Sequence, residues 1–148
     1  MSKIMYARVA AALLAAVVSQ EASAGSVQIE RSNGRVSVET IIEFGNNLQP
    51  VVINEHSQVN IARVIEIGGA GPVDASITQT GTRNIVDVFQ VGGTTNALIG
   101  QSGVSNTANV TQLGNSTNSL LLQIGTMNSG GITQFGRSNS SAIFQFGR

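Results

Sequence analysis

"QSGVSNTANVTQ" (101–112) is the stretch whose reading decides the fold. It begins on Gln101, closes on Gln112 eleven residues later, and holds neither a charge nor an aromatic ring. Counting on by the same interval reaches Gln123, Gln134 and Gln145, and counting back reaches Gln90 and Gln79. Two residues after each comes a glycine: Gly81, Gly92, Gly103, Gly114, Gly125, Gly136 and Gly147. Seven of the eleven glutamines therefore share one phase, which marks an internal repeat.

An eleven-residue period also suits a right-handed helical coil. The composition of the unit argues against that, because Gly, Ser, Thr and Asn are poor in helix interiors and the apolar positions favour Val and Ile. Within a unit the pattern alternates with period two, the signature of a strand. Gln112, Val110, Ala108 and Asn106 share one face, as do Gln90, Val88, Val86 and Asn84. The asparagine place recurs at Asn60, Asn128 and Asn139.

The phase extends upstream if Glu replaces Gln and two units lengthen slightly. Glu43, Glu55 and Glu66 then take the anchor place, followed by Gly45, Ser57 and Gly68; "EHSQVNIARVIE" (55–66) repeats the opening stretch in outline. Two residues before each anchor stands a branched aliphatic: Ile41, Ile53, Val64, Ile77, Val88, Ile99, Val110, Leu121, Ile132 and Ile143. Four before the anchor the residue is mostly small, and Glu39 breaks that column.

The spacing predicts ten short strands, each closing on Gln or Glu and each followed by a glycine-containing turn. Such units cannot bury an apolar face alone, so they stack. Two strands per coil give an all-β, amyloid-like β-solenoid of about five coils, each about 22 residues long and adding about 4.7 Å along the axis. Stacking sets glutamine on glutamine, and each amide donates to one neighbour and accepts from the other. A buried amide left unpaired costs about 1–3 kcal/mol, so the ladder penalises register slips. The residue after the anchor supports the two-strand coil. It is Phe44, Ile67, Val91, Leu113 and Phe135 in alternate units, against His56, Thr80, Ser102, Ile124 and Phe146 in the others.

The first 24 residues stand outside the repeat: Lys3 and Arg8 precede the apolar run "VAAALLAAVV" (9–18), and "ASA" (22–24) offers a cleavage site before Gly25. That is the layout of a secretory signal peptide; a bilayer span needs about 20 apolar residues. The expected organisation is a leader over 1–24, an N-terminal segment over 25–39 and a repeat domain over 40–148. The chain has no cysteine, so stability rests on packing and backbone pairing. Past Gly25 six arginines face seven acidic residues, which gives no basic footprint for nucleic acid or an anionic membrane. From Val88 to Gly136 there is no charged residue, so this half lacks the usual surface protection against association.

The residues now carry a resemblance. "QSGVSNTANVTQ" fits the curlin repeat, Q-x-G-x-x-N-x-A-x-x-x-Q, and "QTGTRNIVDVFQ" (79–90), "QIGTMNSGGITQ" (123–134) and "QFGRSNSSAIFQ" (134–145) match it with one substitution at the Ala place. Over 40–148 the chain resembles a curli subunit, the extracellular functional amyloid of bacterial biofilm. The resemblance implies a homo-oligomeric fibre, a second curlin subunit as partner, and export through a dedicated outer-membrane pore with accessory proteins. Three features depart from the family: Glu at the early anchors, Thr95 and Thr117 at the Asn place, and "GSVQIERSNGRVSVE" (25–39) where the major subunit has a Gly-rich arm. Major and nucleating minor subunit both stay open.

Other classes find little footing. His56 is the only histidine and lacks the convergent ligands a metal or acid–base role needs. The early glutamates suggest a glycosidase pair, yet they fill the structural anchor column. No G-x-S-x-G, H-E-x-x-H or phosphate loop is present. No enzyme, metal or cofactor is expected. The alternative is a monomeric solenoid binding module of ice-binding or adhesin type. It needs a polar cap, whereas the last unit, "SSAIFQFGR" (140–148), keeps an apolar anchor strand.

Overall fold

A computed structural model of the chain describes residues 14–19, 28–31, 36–45 and 47–148, with side chains over 36–45 and 47–148. The described elements are all strands: β1 (Leu14–Ser19), β2 (Gln28–Arg31), β3 (Val36–Phe44), β4 (Val52–Gly68), β5 (Val73–Gly125), β6 (Asn128–Gly136) and β7 (Asn139–Phe146). Every pairing between them is parallel. They wind as a β-solenoid of about five turns.

Register follows the anchor phase. Glu43 pairs with Glu66 and Glu66 with Gln90, while Glu55 pairs with Gln79, Gln112 with Gln134 and Gln123 with Gln145. The coil thus has a front wall, whose arms close on Glu43, Glu66, Gln90, Gln112 and Gln134. Its back wall has arms closing on Glu55, Gln79, Gln101, Gln123 and Gln145. The spacing between partners falls from 24 residues (Val52 with Ser76) to 22 (Asn106 with Asn128). The surplus sits at Gly69–Pro72, where the chain leaves the ladder and Pro72 has no N–H to pair.

The ten expected segments are joined more closely than separate short strands would be. Pairing continues round most corners, so β5 alone covers 53 residues. Glycine on glycine makes this possible. Gly103 has φ 139°, a conformation that favours glycine, and a Cβ built there overlaps the carbonyl of Gly125 in the next coil. At Gly114 contact is the constraint: a Cβ would run into the Gly136 carbonyl oxygen.

Between the walls lies a thin dry core. Ile41, Ile53, Val64, Ile77, Val88, Ile99, Val110, Leu121 and Ile132 are buried, with Ile143 partly buried against them. Full burial of each such side chain contributes about 1.5–3 kcal/mol. Ala62, Ala75, Ala97 and Ala108 fill the neighbouring column, as do Val51 and Val86. Glu39 enters that column as a buried carboxylate, 2% exposed, and accepts a 2.6 Å hydrogen bond from Ser37 Oγ.

The stacked backbone begins ahead of residue 40. β3 starts at Val36, and β2 pairs with β4 through Ile29 and Ile53. β1 falls within the expected leader and pairs with β3, Val17 beside Ile41. The rest of the leader and most of 25–35 lie outside the described residues.

Candidate functional site: two amide ladders and their ends

Each arm delivers its anchor side chain inward at a corner, where the coil above delivers the same residue. On the back wall Gln79 Nε2 donates to Gln101 Oε1 at 3.1 Å, Gln101 to Gln123 at 2.8 Å and Gln123 to Gln145 at 2.6 Å. On the front wall Gln90 donates to Gln112 and Gln112 to Gln134, both at 2.9 Å. The second amide proton crosses the core. Gln90 Nε2 reaches the Asp74 carbonyl at 3.1 Å, Gln101 that of Ile85 at 3.2 Å, and Gln112 that of Asn96 at 3.3 Å. Gln123, Gln134 and Gln145 do the same to Thr107, Asn118 and Ser129. Gln90, Gln101, Gln112 and Gln123 therefore each tie their coil to the next and one wall to the other. Sequence reasoning found the first bond and missed the second. The available signal was that a carboxamide carries two donor protons and the ladder uses one.

The asparagines divide. Asn60, Asn84, Asn106 and Asn128 form one front-wall column in register. Within it Asn106 Nδ2 donates to Asn84 Oδ1 at 3.2 Å and Asn128 to Asn106 at 3.1 Å. Asn84 turns to Ser57 Oγ at 2.8 Å, and Asn60 Oδ1 has no partner. Asn139 lies on the back wall over Thr117 and donates to the Phe135 carbonyl at 2.9 Å.

The glutamine ladders have a direction, because every Nε2 donates toward the C-terminal side. The lowest glutamine of each wall thus turns its Oε1 toward a glutamate. On the front wall this sets acceptor against acceptor: Gln90 Oε1 and both Glu66 oxygens lack hydrogen-bond partners. A proton on Glu66 satisfies the pair. Burial pushes the Glu66 carboxyl up to about 8, with the Glu43 and Asp74 carboxylates adding to the rise. Burial also raises Glu43 and Asp74 from their ordinary values. Arg63 does not neutralise this column. It points outward and pairs with Asp87, with Nε 3.2 Å from Oδ1. Across the core, front-wall Ser37 Oγ lies within hydrogen-bond distance of Glu39 on its own strand and of back-wall Glu55.

At the far end, β6 and β7 each pair with β5 alone among the described residues, leaving one edge of each without a strand partner. Among the described residues, no further glutamine pairs in register above Gln134 and Gln145. His56 is exposed on the back wall, and the described residues contain no group of His, Asp and Glu able to hold a metal ion. No described helix is long and apolar enough to cross a membrane.

These features define a class: a parallel two-walled β-solenoid whose coils are joined by glutamine ladders. Residues 81–114 match the family model of the curlin associated repeat. No curated protein and no solved structure gives a significant match.

Proposed function

We propose that the chain is a secreted, self-assembling structural subunit of extracellular curli-like fibres, serving adhesion and biofilm matrix as a major or nucleating subunit. The carrying observation is the pair of strand edges on β6 and β7, set above two ladders whose polarity is already fixed. A further coil added there continues the backbone pairing and the aliphatic column, and continues the front-wall amide chain once Gln134 Nε2 exchanges its 2.9 Å bond to Ser141 Oγ for the incoming anchor. Export by a leader ending at Ala24, passage through an outer-membrane pore and encounter with a second curlin subunit belong to the same reading; the curlin repeat match at 81–114 supports it. Catalysis, metal and nucleic acid have no part in it.

The test uses the purified chain 25–148 without ligand or metal. It is expected to form fibres that bind thioflavin and diffract near 4.7 and 10 Å, the spacings of stacked strands and facing sheets. A chain that stays monomeric for days at micromolar concentration in physiological buffer overturns the proposal.

A further inference from the structure

We propose that fibres of this chain pair laterally, the front wall of one stack docking on the back wall of another with a shift of two coils along the axis. This rests on the fibre reading above. The outer surface is strongly uneven. On the front wall Ile42, Ile65 and Phe89 form an outward ridge over the first three coils, with Ile61 and Ile85 beside it. In the last two coils the ridge positions become Thr111 and Thr133. The back wall reverses the order. Asn54 and Thr78 occupy its ridge in the early coils, Leu122 and Phe144 in the late ones. Leu98 is 48% exposed, Phe144 55% and Phe146 71%. Contiguous apolar surface of this kind marks an interaction site.

Each wall also carries a groove beside its ridge. The front groove is lined by Thr40, Arg63 and Asp87 among others, and the back groove by Leu98, Leu120 and Ala142. The two walls run in opposite directions, since Gln90 at the end of a front arm bonds the Asp74 carbonyl at the start of a back arm. A second stack moved sideways without rotation therefore lays its back ridge along the front groove and receives the front ridge in its own. Shifted by two coils, about 9 Å, Ile65 meets Leu120, Phe89 meets Ala142 and Ile61 meets Ile124. Unshifted, Ile65 meets Ser76 and Ile61 meets Thr80. Compared with the unshifted register, the two-coil shift sets apolar on apolar and gives Phe89 the small Ala142 as its partner. Arg63 and Asp87 enter already paired and bring no net charge.

Area selects the occupant. A patch of three strands about six residues long covers about 14 by 20 Å, well short of the roughly 800 Å² per partner of a stable complex. Single copies do not dimerise through it. A stack repeats the patch in every subunit, and linked weak contacts sum to a stable one. The partner that fits is a second stack of the same chain.

Mass per length by scanning transmission electron microscopy tests this on fibres of 25–148. Wild type is expected at twice the single-stack value or more. Ile65→Lys and Leu120→Glu, each alone, should keep cross-β diffraction and drop to the single-stack value. Together in one chain they should restore pairing, because the two positions face each other only in this register. The two single variants probe opposite walls, so either one that assembles reads the interface. A single-stack wild type, which is also the outcome if other molecules cover these walls, overturns the docking while the fibre reading stands. So does a double variant that remains single. Absence of fibres overturns both.

Discussion

At the scale of single residues, Glu66 sets the pH response. Its carboxyl titrates at about 8 against an ordinary 4.5, so the folded form holds the proton more tightly than the unfolded chain. The stabilisation is fully present below the ordinary value and is lost as pH rises through the raised one. At about 1.4 kcal/mol per unit the window amounts to a few kcal/mol. Amide-exchange protection of β4 should therefore fall from about pH 5 to about pH 8. Glu66→Gln supplies a neutral Nε2 donor for Gln90 Oε1 and should flatten that profile. Glu43→Gln should add a smaller effect of the same sign, since burial raises Glu43 too. Equal slopes in wild type and Glu66→Gln would remove this carboxyl from the account. Gln112 tests the ladder itself. Gln112→Leu keeps the volume but strands Gln90 Nε2, Gln134 Oε1 and the Asn96 carbonyl. At about 1–3 kcal/mol for each buried group left unmet, fibre resistance to denaturant should drop by several kcal/mol. The outward neighbour Thr111→Ala should stay within about 0.5 kcal/mol.

At the scale of elements, the corners matter as much as the arms. Gly103→Ala forces a side chain into a left-handed conformation costing about 1–2 kcal/mol and pushes it onto the Gly125 carbonyl. It should slow assembly sharply, whereas Gly131→Ala, whose Cβ would sit 3.5 Å from its nearest neighbour, should assemble at the wild-type rate. Peptides separate the arms by charge. A peptide of 101–123 holds no charged residue and should form thioflavin-positive fibres faster than 43–66, which carries Glu43, Glu55, Arg63 and Glu66. The reverse order under matched conditions would make the charge gradient incidental. What could be read beforehand at this scale was whatever repeats in side chains: the Gln and Gly phases and the aliphatic column two residues before each anchor. The bonds across the core escaped because their acceptors are backbone carbonyls of Asp74, Ile85, Asn96 and Thr107, which share no side-chain type. The parting of Asn139 from the other asparagines escaped the eleven-residue phase and needed the 22-residue one, which assigns alternate units to opposite walls. The continuity of β5 escaped because glycine reads as a turn signal, while here the stacked glycines let neighbouring corners approach and keep pairing.

At the scale of the whole molecule, the two ends of the stack are unlike. At the C-terminal end β6 and β7 each have one edge without a strand partner among the described residues, while at the other end β1 pairs with β3 from Leu14 to Ser19. Under the proposed export reading, cleavage before Gly25 would remove β1 and leave β3 as the first front-wall strand, with Glu43 as its anchor. Glu43 accepts but, when ionised, cannot donate, which suits it to replace Ser141 Oγ as the acceptor of Gln134 Nε2 from a preceding copy, in a ladder whose glutamine donors all point toward the C-terminal side. On that reading, cleavage would convert a covered edge into an acceptor for the incoming ladder. The expected outcome is that 25–148 elongates preformed seeds several-fold faster than the uncleaved chain, with both reaching the same cross-β spacings. Glu43→Lys in 25–148 places donor against donor at that junction and should slow elongation, leaving β6 and β7 unchanged. Single-seed imaging of growth at each end makes the distinction. Equal rates for cleaved and uncleaved chains would show that β1 does not hold the β3 edge, and loss of growth at both ends in Glu43→Lys would place the effect in folding instead of in the junction.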